Sequence, residues 1–295
     1  MGWSVPTDRR SRHLGRARRG PAARRVDSAR DGCRRHHGGD MGVRGADAHR
    51  PRGWRRRRDA GGRILVAGGV VAGTALGSAE VHDPASAAWS PTATMATPRS
   101  AASATLLGDG CVLVAGGTAG GTPMSSAELY DPAPATWTST GRMSSPRTGH
   151  TATRLSDGRV LVDGGFDGEG FLASAESYDP ATGAWTVTGP TAMPHFGHTA
   201  TALRDGRVLV AGGDIPDQGA TTPDPIFGGP LASAQVTGPV AERYDPASGA
   251  WTQVASLRPA LSLQCAALLG DGGALVVGSG QSDGRTATLA EVFRG

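Results

Sequence analysis

Residues 147–194 read RTGHTATRLSDGRVLVDGGFDGEGFLASAESYDPATGAWTVTGPTAMP, and this unit of 48 residues recurs along the chain. The spacing of 48 separates successive glycine pairs, namely Gly68-Gly69, Gly116-Gly117, Gly164-Gly165 and Gly212-Gly213. It also separates successive tryptophans, namely Trp89, Trp137 and Trp185, and Trp251 follows 66 residues later because 18 residues are inserted before it. A fixed internal period of this length predicts a repeat architecture.

Each unit contains signals for four short strands. The first two strands meet at Asp157-Gly158, a dipeptide typical of tight hairpins, and the second strand ends at Gly164-Gly165. A third strand ends at Asp179-Pro180, because proline has no N–H for the ladder, and the fourth strand carries Trp185. Such a sheet has two apolar faces and no core of its own until similar sheets stack on it, which predicts the blades of a β-propeller.

The unit resembles the kelch repeat. The resemblance rests on an apolar strand with a terminal glycine pair, as in Val208-Leu209-Val210-Ala211-Gly212-Gly213, followed by Glu, Tyr-Asp-Pro and a spaced Trp, and it covers about residues 63–293. It implies an all-β kelch propeller that usually serves as a binding scaffold. In some members the propeller belongs to a carbohydrate-active enzyme of the galactose oxidase type.

Five repeats are recognisable, and the first and last are incomplete. Their approximate bounds are 61–98, 99–146, 147–194, 195–260 and 261–295. The first repeat lacks a readable first strand, and the last ends after Phe293 without Asp-Pro or Trp. We therefore expect three strands in the first blade, four in each of the next three and three in the last. These blades are expected to belong to a six- or seven-bladed ring that a donated strand closes.

Residues 1–60 differ from the repeats in composition. They hold 18 of the 30 Arg but only 6 of the 26 acidic residues. One interpretation is a disordered basic tail that binds nucleic acid. The interpretation that we favour is a frame-shifted blade, because a chain without Lys or Asn indicates a GC-rich gene of bacterial type. Shifting the frame by one nucleotide turns Met41-Gly42 into a Trp codon, 48 residues before Trp89.

Residues that recur in every repeat are predicted to be structural. The tryptophans are expected to fill space between neighbouring sheets. The recurring acidic and basic side chains are expected to pair, and they are Glu80, Glu128, Glu176, Glu242, Glu291, Arg99 and Arg147. His150 and His198 share one repeat position and are predicted to be structural. His195 and His198 are expected on one strand, where a separation of three places them on opposite faces and makes them a poor metal pair.

The residues favour a binding module over an enzyme. A copper site of the galactose oxidase type, as the resemblance implies, requires two tyrosines, a cysteine and two histidines. The chain has three tyrosines, Tyr130, Tyr178 and Tyr244, and all of them stand in the repeated Tyr-Asp-Pro position. We therefore predict no catalytic residue, metal or cofactor.

The candidate ligand site lies on the face that carries the irregular loops after each second strand. Its predicted residues are Phe166, Asp167, Phe171, Asp214, Asp217, Asp224 and Phe227. The carboxylates would bind sugar hydroxyls or a cation, and the phenylalanines would offer apolar surface. The expected partner is an unidentified protein or carbohydrate.

Localisation stays open from the sequence. No apolar run near the start would serve as a signal peptide, and no run reaches the roughly 18 residues needed to cross a bilayer. If the natural start differs from the one given, an extracellular or periplasmic location is compatible with the chain.

Overall fold

The computed structural model describes residues 55–58, 62–213, 240–256, 262–282 and 285–294. These residues form antiparallel sheets joined by turns and loops, without a helix among them. Four of the sheets have four strands and one has three, which confirms the all-β class and the blades expected from the repeat. We number the blades 1 to 5 in chain order.

Blades 1 and 2 each have four main strands, and a pair of two-residue strands lies in the loop between the second and third of them. Blade 1 and its loop contain β1 (Arg55–Arg58), β2 (Ile64–Ala67), β3 (Val70–Val71), β4 (Thr74–Ala75), β5 (Ala79–Asp83) and β6 (Ala88–Pro91). Blade 2 and its loop contain β7 (Ser103–Leu106), β8 (Val112–Ala115), β9 (Thr118–Ala119), β10 (Thr122–Pro123), β11 (Ala127–Asp131) and β12 (Thr136–Ser139).

Blades 3 and 4 have the same order of strands, and blade 5 has one strand fewer among the residues that the structure describes. Blade 3 contains β13 (Thr151–Arg154), β14 (Val160–Asp163), β15 (Ala175–Asp179) and β16 (Ala184–Val187). Blade 4 contains β17 (Thr199–Ala202), β18 (Val208–Ala211), β19 (Val240–Asp245) and β20 (Ala250–Ser256). Blade 5 contains β21 (Ser262–Leu268), β22 (Ala274–Ser282) and β23 (Arg285–Phe293).

The strand count of the first blade differs from the prediction. The sequence predicts three strands there, but β1 pairs antiparallel with β2, so that Arg55 lies opposite Ala67 and Arg58 opposite Ile64. An arginine run carries no apolar alternation, which is why the sequence pattern misses this strand. Among the described residues, blade 5 has three strands, as the sequence predicts.

The core lies between the blades. Along β8, Val112 and Val114 pack in a cluster with blade 1, whereas Leu113 and Ala115 pack in a cluster with blade 3. Successive side chains of a strand point to opposite faces, so a strand between two sheets must be apolar at every position. Equivalent clusters join blade 3 to blade 4 and blade 4 to blade 5.

The first strands of neighbouring blades lie side by side. β1 contacts β7, β7 contacts β13, β13 contacts β17 and β17 contacts β21. The antiparallel order then places the loop after each second strand and the link into each first strand at the same end of the sheets. We call this end the loop face, and the opposite end the turn face.

Candidate functional site

Three phenylalanines form an aromatic cluster on the loop face. Phe166 follows β14 and is 8% exposed, and its ring meets Phe171 edge to face with centroids 5.8 Å apart. Phe171 also stacks on Phe196, with centroids 5.0 Å apart and planes inclined by 18°. Phe196 belongs to the link between blades 3 and 4, so the cluster connects the loop of blade 3 to this link.

The backbone holds this cluster in place. The backbone of Phe166 forms one isolated antiparallel β-bridge with Thr148 and another with Phe171. Gly149 has a positive φ of 67°, and a Cβ at Gly149 would lie 2.3 Å from a ring carbon of Phe196. Phe196 therefore occupies the space that a side chain at position 149 would take.

Asp167 stabilises its own loop. Its Oδ1 accepts hydrogen bonds from the backbone N–H groups of Glu169 and Gly170, each at 2.8 Å. This arrangement is an Asx turn, in which an aspartate side chain satisfies nearby backbone donors. Phe166, Asp167 and Phe171 lie in one loop, and the Asp167 side chain is bonded to the backbone of that loop.

The other predicted ligand residues lie outside the described part of the chain, and they are Asp214, Asp217, Asp224 and Phe227. The described chain before them ends at Gly213, where a Cβ would lie 2.8 Å from the carbonyl oxygen of Phe196. Gly213, the last described residue before the insertion, therefore lies beside the backbone of Phe196. Phe196 was not singled out from the sequence, because the predicted residues were taken from the loops after the second strands and Phe196 lies in the link into blade 4.

The pairing of charges predicted from the repeat is confirmed for Arg99 and Arg147, which form buried ion pairs. Arg99 and Glu128 are joined at 2.8 Å, as are Arg147 and Glu176, and all four side chains are at most 2% exposed. Arg147 also donates to the carbonyl oxygens of Gly164 and Ser174. Each arginine therefore holds its link against the glycine pair and the third strand, and we call each such arrangement a clamp.

In blade 4 a histidine takes the place of the arginine. His195 lies 48 residues after Arg147, and its Nε2 is 2.9 Å from Oε2 of Glu242. Its Nδ1 is 3.0 Å from the carbonyl oxygen of Gly212, so the ring faces an acceptor on each side. Only the protonated imidazole donates from both nitrogens. The spacing of 48 alone would have revealed this replacement.

A second buried pair lies beside the His195 clamp. His198 Nε2 is 2.8 Å from Oδ2 of Asp163, and the Thr151 hydroxyl donates to Oδ1 of the same carboxylate at 2.7 Å. The rings of His195 and His198 have centroids 5.4 Å apart. The expectation that they lie on opposite faces of a strand is wrong, because both precede β17 and lie in the link. The structural role predicted for His198 agrees with this pairing.

We expect the stability of the protein to depend on pH through the charge state of His195. Burial acts to lower the pKa of His195, but Glu242, Asp163 and the Gly212 carbonyl outweigh burial and raise the pKa above its ordinary value of 6.5. A raised pKa in the folded state means that this stabilisation is complete below pH 6.5 and is lost as the pH rises through the folded-state pKa. We expect the free energy of unfolding to fall over that range. Urea denaturation between pH 6 and 8.5 would measure the decrease.

The matched variant for this prediction is His195→Arg, which restores the residue of the other clamps. Its free energy of unfolding should vary less with pH over the same range, because Arg does not titrate there. Burial acts to raise the pKa of Asp163, but His198 and Thr151 hold this pKa below 3.8. The contribution of Asp163 to the free energy of unfolding is therefore lost only at acidic pH. Equal pH dependence in both proteins would contradict the assignment to His195.

The tryptophans hold neighbouring blades together at their outer edges. Trp137 and Trp185 lie opposite Tyr130 and Tyr178 on adjacent strands, with ring centroids 5.0 Å apart. The indole of Trp185 donates to the Gly141 carbonyl of blade 2 at 2.9 Å. The prediction that tryptophans lie between sheets agrees with these contacts, although Trp89 is 46% exposed.

The described residues contain no group of three or more His, Cys, Asp or Glu side chains arranged to hold a metal ion. Within the same residues, no helix is long and apolar enough to cross a membrane.

Antiparallel sheets that stack face to face with their first strands side by side define the β-propeller class. The Kelch motif matches residues 99–144 and 146–190, which are the second and third repeats. The chain therefore contains kelch repeats, and the matched ones lie in blades 2 and 3. No curated protein sequence matches it.

Two solved structures share this fold. One is a fungal alcohol oxidase of the AA5 family in complex with copper, with 17% identity and a TM-score of 0.51 over 82% of this chain. The other is YjhT, with 12% identity and a TM-score of 0.61 over 81% of this chain and 80% of YjhT. This chain spans 61% of the length of the oxidase. At these identities the likeness concerns the fold alone.

The tyrosines do not fit a copper site of the galactose oxidase type. Tyr130, Tyr178 and Tyr244 are the three tyrosines of the whole chain, and each is at most 3% exposed. They lie in three different blades, and each packs against its own tryptophan. Two tyrosines therefore cannot converge on one metal ion.

Proposed function

We propose that this protein is a non-catalytic binding module that recognises a protein or a carbohydrate through its loop face. The observation that carries the proposal is the aromatic cluster of Phe166, Phe171 and Phe196. Phe171 is partly exposed and stacks on a ring from the next blade. Preorganised aromatic rings bind with little loss of side-chain entropy, which favours their use in recognition.

The charged side chains of the same region support binding over catalysis. Arg147 pairs with Glu176, His195 with Glu242 and His198 with Asp163, and all six are at most 4% exposed. A general acid or base must reach its substrate within hydrogen-bonding distance. Buried groups that bond to one another are suited to holding the loops instead.

Neighbouring loops offer a continuous surface around the cluster. A Cβ at Gly168 would lie 3.7 Å from the ring of Pro123 in the loop of blade 2. The loops of blades 1 and 2 also touch, through β4 and β9. A ligand larger than one residue or one sugar ring could therefore contact several blades at once, as repeat proteins commonly allow.

Replacing Phe171 by Ala tests the proposal. We expect at least a tenfold loss of affinity, because truncation of a central aromatic contact commonly costs about 2 kcal/mol. The measurement is titration calorimetry with a panel of soluble oligosaccharides, namely cellohexaose, chitohexaose, xylohexaose and galacto-oligosaccharides. A second arm uses the purified protein to capture proteins from its source, and then measures the affinity of each captured protein for both variants.

The matched control is Leu268→Ala. Leu268 is 43% exposed and lies at the end of β21 next to the turn face, away from the aromatic cluster. Its removal should leave the affinity unchanged. Unchanged affinity in Phe171→Ala together with a loss in Leu268→Ala would move the site to the other face.

The alternative is a carbohydrate-active enzyme domain, which the likeness in fold to a copper alcohol oxidase suggests. Its test is incubation with Cu²⁺ followed by metal analysis and an assay of peroxide release from galactose and primary alcohols. Stoichiometric copper together with turnover would overturn the binding module. Binding without turnover would support it.

A further inference from the structure

The link into blade 4 differs from the two preceding links at two neighbouring positions of the repeat. The clamp residue and the residue after it are, in chain order, Arg99-Ser100, Arg147-Thr148 and His195-Phe196. The link whose clamp is a histidine is therefore also the link that supplies a ring to the aromatic cluster of the loop face.

An arginine clamp holds its link independently of pH. The guanidinium of Arg147 donates to the carbonyl oxygens of Gly164 and Ser174, to the Ser174 hydroxyl and to the Glu176 carboxylate. A guanidinium in a protein does not lose its proton, because its pKa lies above about 12. These hydrogen bonds therefore persist at every pH at which the blades are folded.

The histidine clamp holds its link fully only while the ring is protonated. Nδ1 of His195 faces the carbonyl oxygen of Gly212, and Nε2 faces the carboxylate of Glu242. A neutral imidazole donates from one nitrogen and carries a lone pair on the other. Loss of the proton therefore places a lone pair against an oxygen at one of these two contacts. The ring is 2% exposed, so water does not readily replace the lost bond.

The titratable groups that face His195 come from two strands and from its own link. Glu242 lies on β19, Asp163 ends β14, and His198 lies three residues further along the link with its ring centroid 5.4 Å away. The two carboxylates favour the protonated ring. Glu242 also accepts a hydrogen bond from the backbone N–H of Ala192 at 2.8 Å, which does not depend on the charge of His195. Release of the clamp is therefore confined to the part of the link that follows Ala192.

The position of Phe196 depends on that part of the link. The carbonyl oxygen of His195 accepts a hydrogen bond from the N–H of Gly165 at 2.7 Å, and the N–H of Gly197 donates to the carbonyl oxygen of Gly149 at 3.0 Å. These two bonds hold the residues on either side of Phe196 against blade 3. A movement of the link therefore displaces the ring of Phe196 from the aromatic cluster.

We propose that His195 is a proton-dependent clamp of the loop face, closed when its imidazole is protonated and open when the imidazole is neutral. In the closed state the link lies against blade 3 and Phe196 stacks on Phe171. In the open state the bond between Gly165 and His195 breaks and the two rings separate. The loop face thus keeps its aromatic surface at low pH and loses it as the pH rises. This change of conformation needs no ligand, whereas its effect on affinity rests on the proposed function.

Hydrogen exchange of two equivalent amides in the same protein tests the clamp. The N–H of Gly165 bonds to the carbonyl oxygen of His195 at 2.7 Å, and the N–H of Gly117 bonds to the carbonyl oxygen of Arg147 at 2.8 Å. Between pH 6 and 8.5 we expect the protection factor of Gly165 to fall about tenfold relative to that of Gly117, because a hydrogen bond of a charged group is lost. The fall should follow the titration of the His195 ring measured by NMR, whose pKa is raised above 6.5.

The contact between the rings supplies a second measurement. The chain has five phenylalanines, so selective ¹³C labelling resolves them. Nuclear Overhauser contacts between the rings of Phe171 and Phe196 are expected at pH 6 and should disappear at pH 8.5. His195→Arg should keep both these contacts and the protection of Gly165 at pH 8.5, because Arg does not titrate in this range.

Two results would overturn the proposal. One is an equal change of protection at Gly165 and Gly117 in the wild-type protein. The other is a fall at Gly165 that persists in His195→Arg, since that result assigns the change to a different group. Unchanged affinity in Phe171→Ala would refute the ligand site of the loop face without altering either measurement of the clamp.

Discussion

Replacement of Arg147 by Ala is expected to lower the free energy of unfolding by about 3–5 kcal/mol, because it leaves the Glu176 carboxylate buried without its partner. Arg147 and Glu176 are at most 1% exposed, and Arg147 also bonds to two carbonyl oxygens. Arg147 also donates to the Ser174 hydroxyl, so truncation removes a charge pair and three further hydrogen bonds. Urea denaturation of the wild-type and variant proteins measures the difference.

The control for Arg147→Ala is Arg159→Ala in the same blade. Arg159 pairs with Asp157 at the turn face, where the two side chains are 38% and 42% exposed. Solvent screens such pairs, so the expected loss is below about 1 kcal/mol. Similar losses in the two variants would contradict a special contribution of the buried clamp. Adding Glu176→Gln to Arg147→Ala should recover part of the loss, because the unpaired charge is then removed.

Replacement of Gly164 by Ala is expected to cost about 2–5 kcal/mol. Gly164 has a φ of 62°, and a Cβ there would lie 2.4 Å from the carbonyl oxygen of His195. The left-handed backbone alone costs an alanine about 1–2 kcal/mol. The collision adds about 1–3 kcal/mol, since the link that carries His195 must move.

The matched control for Gly164→Ala is Gly120→Ala. Gly120 has a similar φ of 57°, but nothing lies within 4 Å of a Cβ placed there. Its substitution should cost only the backbone part of about 1–2 kcal/mol. Denaturation curves of both variants separate the cost of conformation from the cost of contact. Equal losses would mean that the link yields to the methyl group without penalty.

The clamp arginine and the glycine pair contact the same link between blades. The clamp arginine approaches the carbonyl of the first glycine, and the link passes so close to the pair that it leaves no room for a side chain. The second glycine, Gly165, donates its N–H to the carbonyl of His195. A glycine pair at the end of each second strand is therefore required by the neighbouring link, and not by the strand.

Several features of the fold follow from the sequence pattern. The Asp-Gly turns, the glycine pairs and the Asp-Pro steps predicted the strands of blade 3 and their order. The recurrence of Glu176 and Arg147 predicted that they pair. These predictions succeed because each depends on local backbone geometry or on a residue type that returns every 48 positions.

Other features were missed or misplaced for identifiable reasons. Arg55–Arg58 forms the first strand of blade 1, although four arginines give no alternating pattern. His195 and His198 lie in a link, with each ring against a carboxylate from a distant strand. The contribution of Phe196 to the aromatic cluster also depends on a contact between two blades, which no local pattern encodes.

The sequence by itself determined that this protein is built from repeated four-stranded units, because strand length, turn chemistry and the period of 48 residues are local properties. Only the tertiary structure decided which side chains meet between blades. Glu242 reaches His195 across 47 residues and Phe171 reaches Phe196 across 25, so these contacts exist only after the sheets have stacked. The physical reason is that each blade buries its apolar faces against its neighbours, and that packing brings the loops together on one face.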